Sequence, residues 1–134
     1  MRGTDLIQLI QSLEGVRFLK PATNEEISRA QRMLRLRFAE DYTRYVAKFG
    51  AFSANGIEFT GVTPHKRLSV VTVTMQEREL NPNIPDDMYV VENVGIDGLI
   101  ILQDGTGAVY SVQPLRKPVK IHENLADYIL EVTR

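Results

Sequence analysis

The apolar pattern of this chain changes period at Gly50, and that change decides which folds are open to it. Ahead of Gly50, apolar residues recur at the spacing that lines one face of a helix. Behind it, β-branched and aromatic residues gather in short runs between glycine-bearing turns, which is strand chemistry. The chain closes on one more helical pattern. Helices at both termini with a mostly antiparallel sheet between them define an α+β fold. Its helices are expected to pack on one sheet face, which leaves the other face, or its rim, for function.

The helical part opens over residues 4–13, where Leu6, Ile7, Leu9, Ile10 and Leu13 share a face and Gly15 offers a stop. Thr23-Asn24-Glu25-Glu26 follows Pro21 and has the form of a capping box. The Thr23 hydroxyl can accept from the amide of residue 26, and the Glu26 carboxylate can reach back to the Thr23 amide. Ile27, Ala30, Met33 and Leu34 are the expected buried stripe of that helix. A third helix over residues 40–49 stacks Tyr42, Tyr45, Val46 and Phe49, and Gly50 ends it. Asn55-Gly56 between Phe52 and Ile57/Phe59 predicts a tight hairpin, because both residues tolerate positive φ.

Residues 68–80 fit two patterns. Val71, Val73 and Met75 alternate as a strand would, while Val71, Met75 and Arg78 also fit a helix. Three strands are predicted beyond them, at 88–94, 99–103 and 108–113. Gly95-Ile96-Asp97-Gly98 and Asp104-Gly105-Thr106-Gly107 are their turns. A short edge strand is expected at 119–121. The last helix starts at Asn124, with Leu125, Tyr128, Ile129 and Val132 facing inward.

Composition narrows the class. The 134 residues suit one domain, 1–134, and the absence of cysteine excludes disulfides and thiolate chemistry. No segment approaches the roughly 18–20 apolar residues a membrane span needs. The N-terminal segment is amphipathic rather than a signal-peptide core. Cytoplasmic residence without membrane attachment is the expectation. The net charge is only −1, but it is unevenly spread. Residues 1–67 carry 11 Lys/Arg against 7 Asp/Glu, and residues 68–134 carry 5 against 10.

Reactive constellations are absent from the sequence. His65 and His122 lack metal-ligand spacing, and Ser53, Ser69 and Ser111 lack a nucleophile elbow. Asp86-Asp87 after Pro85 has the form of a turn, as does the Asp104 segment. No catalytic residue, metal site or cofactor is expected. Arg29, Arg32 and Arg35 share a helical step and, with Arg37, Arg44 and Lys48, form the basic run best suited to nucleic acid. A chain of pI about 6.1 is not basic overall, so a solvated helix face is the reading taken.

The order of these motifs resembles the SUKH superfamily, domains related to a yeast cell-wall synthesis regulator. The matching residues are Glu26-Ile27, Asp41-Tyr42, Phe49-Gly50, Ile57 and Gly61, followed by Asp104-Gly105, Val109-Tyr110 and the last helix. Ala39 stands where the family usually has proline, and the tryptophan frequent in many members is missing. The resemblance implies helices packed on a curved antiparallel sheet and a helix for residues 69–80. Glu26, Asp41, Tyr42, Gly50 and Gly61 are expected to be structural. It also implies a non-catalytic binding role: many bacterial members are immunity proteins that neutralise a toxin, often a nuclease. Regulatory or scaffolding modules share the fold and are the alternative, ahead of a small enzyme or nucleic-acid binder. A nuclease site attracts phosphate and so tends to be basic. The acidic residues Asp86, Asp87, Glu92, Asp97 and Asp104 are therefore the candidate contacts to a basic protein partner.

Overall fold

The computed structural model describes residues 5–134. Five helices and two antiparallel sheets are arranged as an α+β fold. Helix α1 (Leu6–Ser12) is capped by the Asp5 carboxylate; the predicted start at residue 4 lies outside the described residues. Helix α2 (Asn24–Leu34) begins with the expected capping box. The Thr23 amide donates to Glu26 Oε1 at 2.9 Å, and the Glu26 amide to Thr23 Oγ1 at 3.1 Å. Helix α3 spans Glu40–Phe49 and buries Tyr42, Tyr45, Val46 and Phe49.

Strands β1 (Arg17–Phe18), β2 (Phe52–Ala54) and β3 (Ile57–Phe59) form a three-stranded sheet in that order. Asn55 and Gly56 have φ of 52° and 81° at the β2–β3 turn. Both central residues then have the backbone twist a two-residue hairpin needs. A short 3₁₀ turn, Lys66–Leu68, leads into helix α4 (Val70–Leu80). The ambiguous segment is thus helical. The Ser69 hydroxyl accepts from the Thr72 amide and starts it, and Val70, Val73 and Thr74 are buried. Strands β4 (Met88–Asn93), β5 (Ile100–Asp104), β6 (Val109–Val112) and β7 (Val119–His122) make a meander. Helix α5 (Leu125–Val132) is capped by Asn124 and packs on α1 and β7.

Strands β4 and β5 of the four-stranded sheet are buried on both faces. Tyr89, Val91, Ile101 and Val109 join the helices and the small sheet in the main core. Met88, Val90, Ile100, Leu102 and Val112 pack under Val73 of α4 and Ile84 of the following loop. The face expected to be free for function is therefore covered by α4 over its inner strands, and open surface remains at the sheet ends and along the edge strand β7. Met33 of the predicted α2 stripe is 52% exposed, because the helix turns only Ile27, Ala30 and Leu34 inward.

Thr60 ties the two sheets together. Its amide donates to the Val91 carbonyl at 3.0 Å and its hydroxyl to the Val90 carbonyl at 2.7 Å. The Tyr42 hydroxyl lies 2.9 Å from Thr60 Oγ1, and the Tyr45 hydroxyl donates to the Thr60 carbonyl at 2.6 Å. These partners occupy polar groups that would be costly if buried alone.

A bulge at an acidic cleft

The five candidate acidic residues separate into two groups. Asp86 and Asp87 are exposed in the turn before β4, and Asp104 lies beside them, since Met88 pairs with Asp104. Glu92 and Asp97 lie at the opposite end of β4 and in the β4–β5 turn. The length of β4 parts the two groups, so no single surface presents all five.

Their availability also differs. Asp104 is 9% exposed and already engaged, accepting from the Thr106 amide at 2.9 Å and from the Tyr110 hydroxyl at 2.9 Å. Burial acts to raise its carboxyl pKa, but the hydrogen bonds from Thr106 and Tyr110 outweigh it and hold the group below its ordinary value. The Asp104 loop is a hairpin turn stapled by its own side chain. Asp86, Asp87 and Asp97 have no cationic partner among the described residues and remain accessible.

Glu92 is the unusual member. Pairing of β4 with β5 slips between Val90 and Glu92, leaving Val91 without a partner. Such a bulge turns two consecutive side chains to one side. Val91 enters the main core, and Glu92 follows it to the α5 side, where it accepts a hydrogen bond from the Tyr128 hydroxyl. Pairing of β6 with β7 also slips, placing Ile121 outside the ladder. Both irregular strands are the sheet's edges.

The two bulges frame a cleft of about 650 Å³ between β3, the β4–β5 turn and α5. Ile57, Val94, Ile96, Leu99, Ile121 and Val132 supply apolar wall. Among the described residues its charged lining is Glu58 and Glu92. Glu58 pairs with Arg67, whereas Glu92 has no cationic partner among the described residues. Burial pushes the Glu92 carboxyl above its ordinary range, and the Tyr128 bond offsets that only in part. The sequence pattern marked Glu92 as acidic but gave no sign of the bulge that buries it.

The residues shared with the SUKH pattern hold the fold. Asp41 accepts from the Gln103 side chain at 3.0 Å and from the Leu125 amide at the start of α5 at 3.3 Å. Tyr42 is fully buried against Thr60, and burial raises its pKa. Glu26 belongs to the α2 cap. Gly50 and Gly61 press on one another: a Cβ on Gly61 would lie 1.7 Å from the Gly50 carbonyl oxygen.

The basic run does not form one stripe. Arg29 and Arg44 face Glu25 and Glu40 one turn earlier. Arg35 has φ of 57° and ends α2 in a Schellman-type stop, its amide donating to the Arg32 carbonyl and that of Leu36 to Gln31. His122 Nε2 lies 2.7 Å from Glu131, and no group of metal-ligating side chains gathers among the described residues. No described helix is long and apolar enough to cross a membrane.

Fold and cleft together define a small α+β domain of two linked sheets, open at the sheet ends. Residues 4–134 match the SMI1-KNR4 cell-wall family, SUKH_5, and the chain belongs to that family. A crystal structure of a protein from Pseudomonas syringae pv. tomato superposes with a TM-score of 0.76 at 15% identity. The match covers 96% of this chain and 95% of that one, a likeness of fold. No curated protein matches the sequence.

Proposed function

We propose that this chain is a binding protein that neutralises a toxin of basic character, acting by occlusion and without a chemical step. The observation carrying this reading is the uncompensated negative charge at both ends of the four-stranded sheet. Asp86 and Asp87 at one end, and Asp97 with Glu92 at the other, form no ion pair among the described residues. Family membership supports a binding role. A nuclease domain, whose site must attract phosphate, is the partner class such charge favours. The family's cell-wall description favours a second reading, a regulatory module bound to an envelope-synthesis protein.

Co-expression separates the two. The products of reading frames adjoining this gene are produced with and without it. Toxicity that this chain abolishes, with a stoichiometric complex on purification, supports neutralisation. A harmless but stably bound envelope-synthesis partner supports the regulatory module. Reversing Asp86, Asp87 and Asp97 to lysine should slow association by about tenfold or more at low salt, with the effect shrinking at high salt. Stopped-flow rates indifferent to both charge and salt would remove electrostatic steering from the account.

A further inference from the structure

Glu92 is a buried carboxyl with no counter-ion among the described residues, an arrangement ordinary folds avoid. At 7% exposure it accepts from the Tyr128 hydroxyl through Oε1; its other oxygen, with no protein partner among the described residues, keeps its remaining contact with solvent. A carboxylate largely shielded from bulk water, with one oxygen still open and no counter-ion beside it, offers a cation that reaches it a strong, water-poor contact. The Glu92–Tyr128 pair lies within the cleft lining, and no Lys, Arg or His among the described residues lines the same cleft. Ile96 and Ile121 on the walls are 67% and 38% exposed, so apolar surface stands open around the acidic floor.

We propose that this cleft seats an arginine side chain of the protein partner, its guanidinium against Glu92 and its methylene stem along Ile57, Ile121 and Val132. The assignment rests on the proposed protein-binding role and names its anchor. Charge complementarity selects a cation, since Glu58 is already paired with Arg67 while Glu92 has no cationic partner among the described residues. Apolar walls select the weakly hydrated guanidinium over an ammonium, whose water is harder to remove. The raised proton affinity of Glu92 agrees with a group whose counter-ion arrives from outside. A cleft of about 650 Å³ is larger than one side chain, so residues flanking the arginine are seated with it.

The binding can be read without any toxin. Isotopically labelled protein is titrated with butylguanidinium chloride and followed by NMR, with butan-1-ol as the uncharged control of equal stem. Saturable shifts should appear at Val94, Leu99, Ser111, Ile121 and Val132, and butan-1-ol should bind about tenfold more weakly or worse. Glu92→Gln should lose the preference for the cation while the spectrum stays folded. Ile96→Ala, at an exposed wall, should weaken both probes without disturbing the fold. Shifts elsewhere, equal binding of the alcohol, or a Glu92→Gln variant that keeps full cation affinity would each overturn the assignment. Failure here would leave neutralisation through another surface standing. A cleft that takes the cation in a protein that neutralises nothing would overturn the functional reading alone.

Discussion

Ala39 shows how one residue departs from a family pattern for a local reason. Its amide donates to the buried Tyr89 hydroxyl at 2.9 Å, and that hydroxyl donates to Gln103 at 2.7 Å. The family's usual proline has no N–H and could not take part, although φ of −60° at this position suits it. Ala39→Pro should therefore cost about 1 kcal/mol in denaturant unfolding, the lost hydrogen bond outweighing the entropy gain. An unchanged or raised midpoint would contradict this. Gly61→Ala is a harsher test. Its methyl would collide with backbone, which cannot rotate away as a side chain could, so the variant should lose about 3 kcal/mol or fail to fold.

Glu92 links residue chemistry to pH. Its carboxyl has a folded-state pKa above the ordinary 4.5, so the folded state holds its proton longer than the unfolded chain. Below 4.5 both states are protonated and the residue costs nothing. As pH rises from 4.5 through the raised folded value, this residue's contribution to stability falls and then levels off. Glu92→Gln removes that decline while keeping an acceptor for Tyr128. The melting temperature of the variant relative to the parent should rise as the pH is raised above 4.5 and then level off. A constant difference across that range would show that Glu92 ionises in the folded protein as readily as in water.

At the scale of elements, legibility followed locality. The α2 cap, the α3 stripe, the Asn55-Gly56 turn and the β5–β6 turn are each specified by residues a few positions apart, and each formed where its signal lay. Strand β1 was not legible, because two residues carry no period and pair only through Arg17–Ser53 and Phe18–Phe52. Helix α4 was ambiguous because Val70, Val71, Thr72, Val73 and Thr74 favour a strand locally. Tertiary contacts decide it: Val73 covers the sheet, and the Thr74 hydroxyl accepts from the Val90 amide at 3.0 Å. Thr74→Val keeps the shape and adds an apolar methyl, yet strands that amide. It should destabilise by about 1–3 kcal/mol and speed hydrogen exchange at Val90. A stabilised variant would mean that the bond carries nothing.

For the whole molecule, charge was legible and its placement was not. The sequence shows an acidic C-terminal half, but the long β4 divides its carboxylates, a hairpin consumes Asp104 and a bulge buries Glu92. Bulges leave no local signature, since they arise from register between strands. The cleft was likewise invisible, being assembled from β3, β4, β5, β6, β7 and α5. What the fold adds to the acidic composition is location: exposed charge at the two ends of a sheet whose inner strands are covered on both faces.

The central claim is neutralisation by binding. The most direct measurement adds increasing amounts of this protein to the purified toxin domain encoded beside it and follows the toxin's own activity. The account predicts a linear loss that ends near one molar equivalent, as a tight stoichiometric inhibitor gives. Full toxin activity in the presence of a large excess of the folded protein would contradict it.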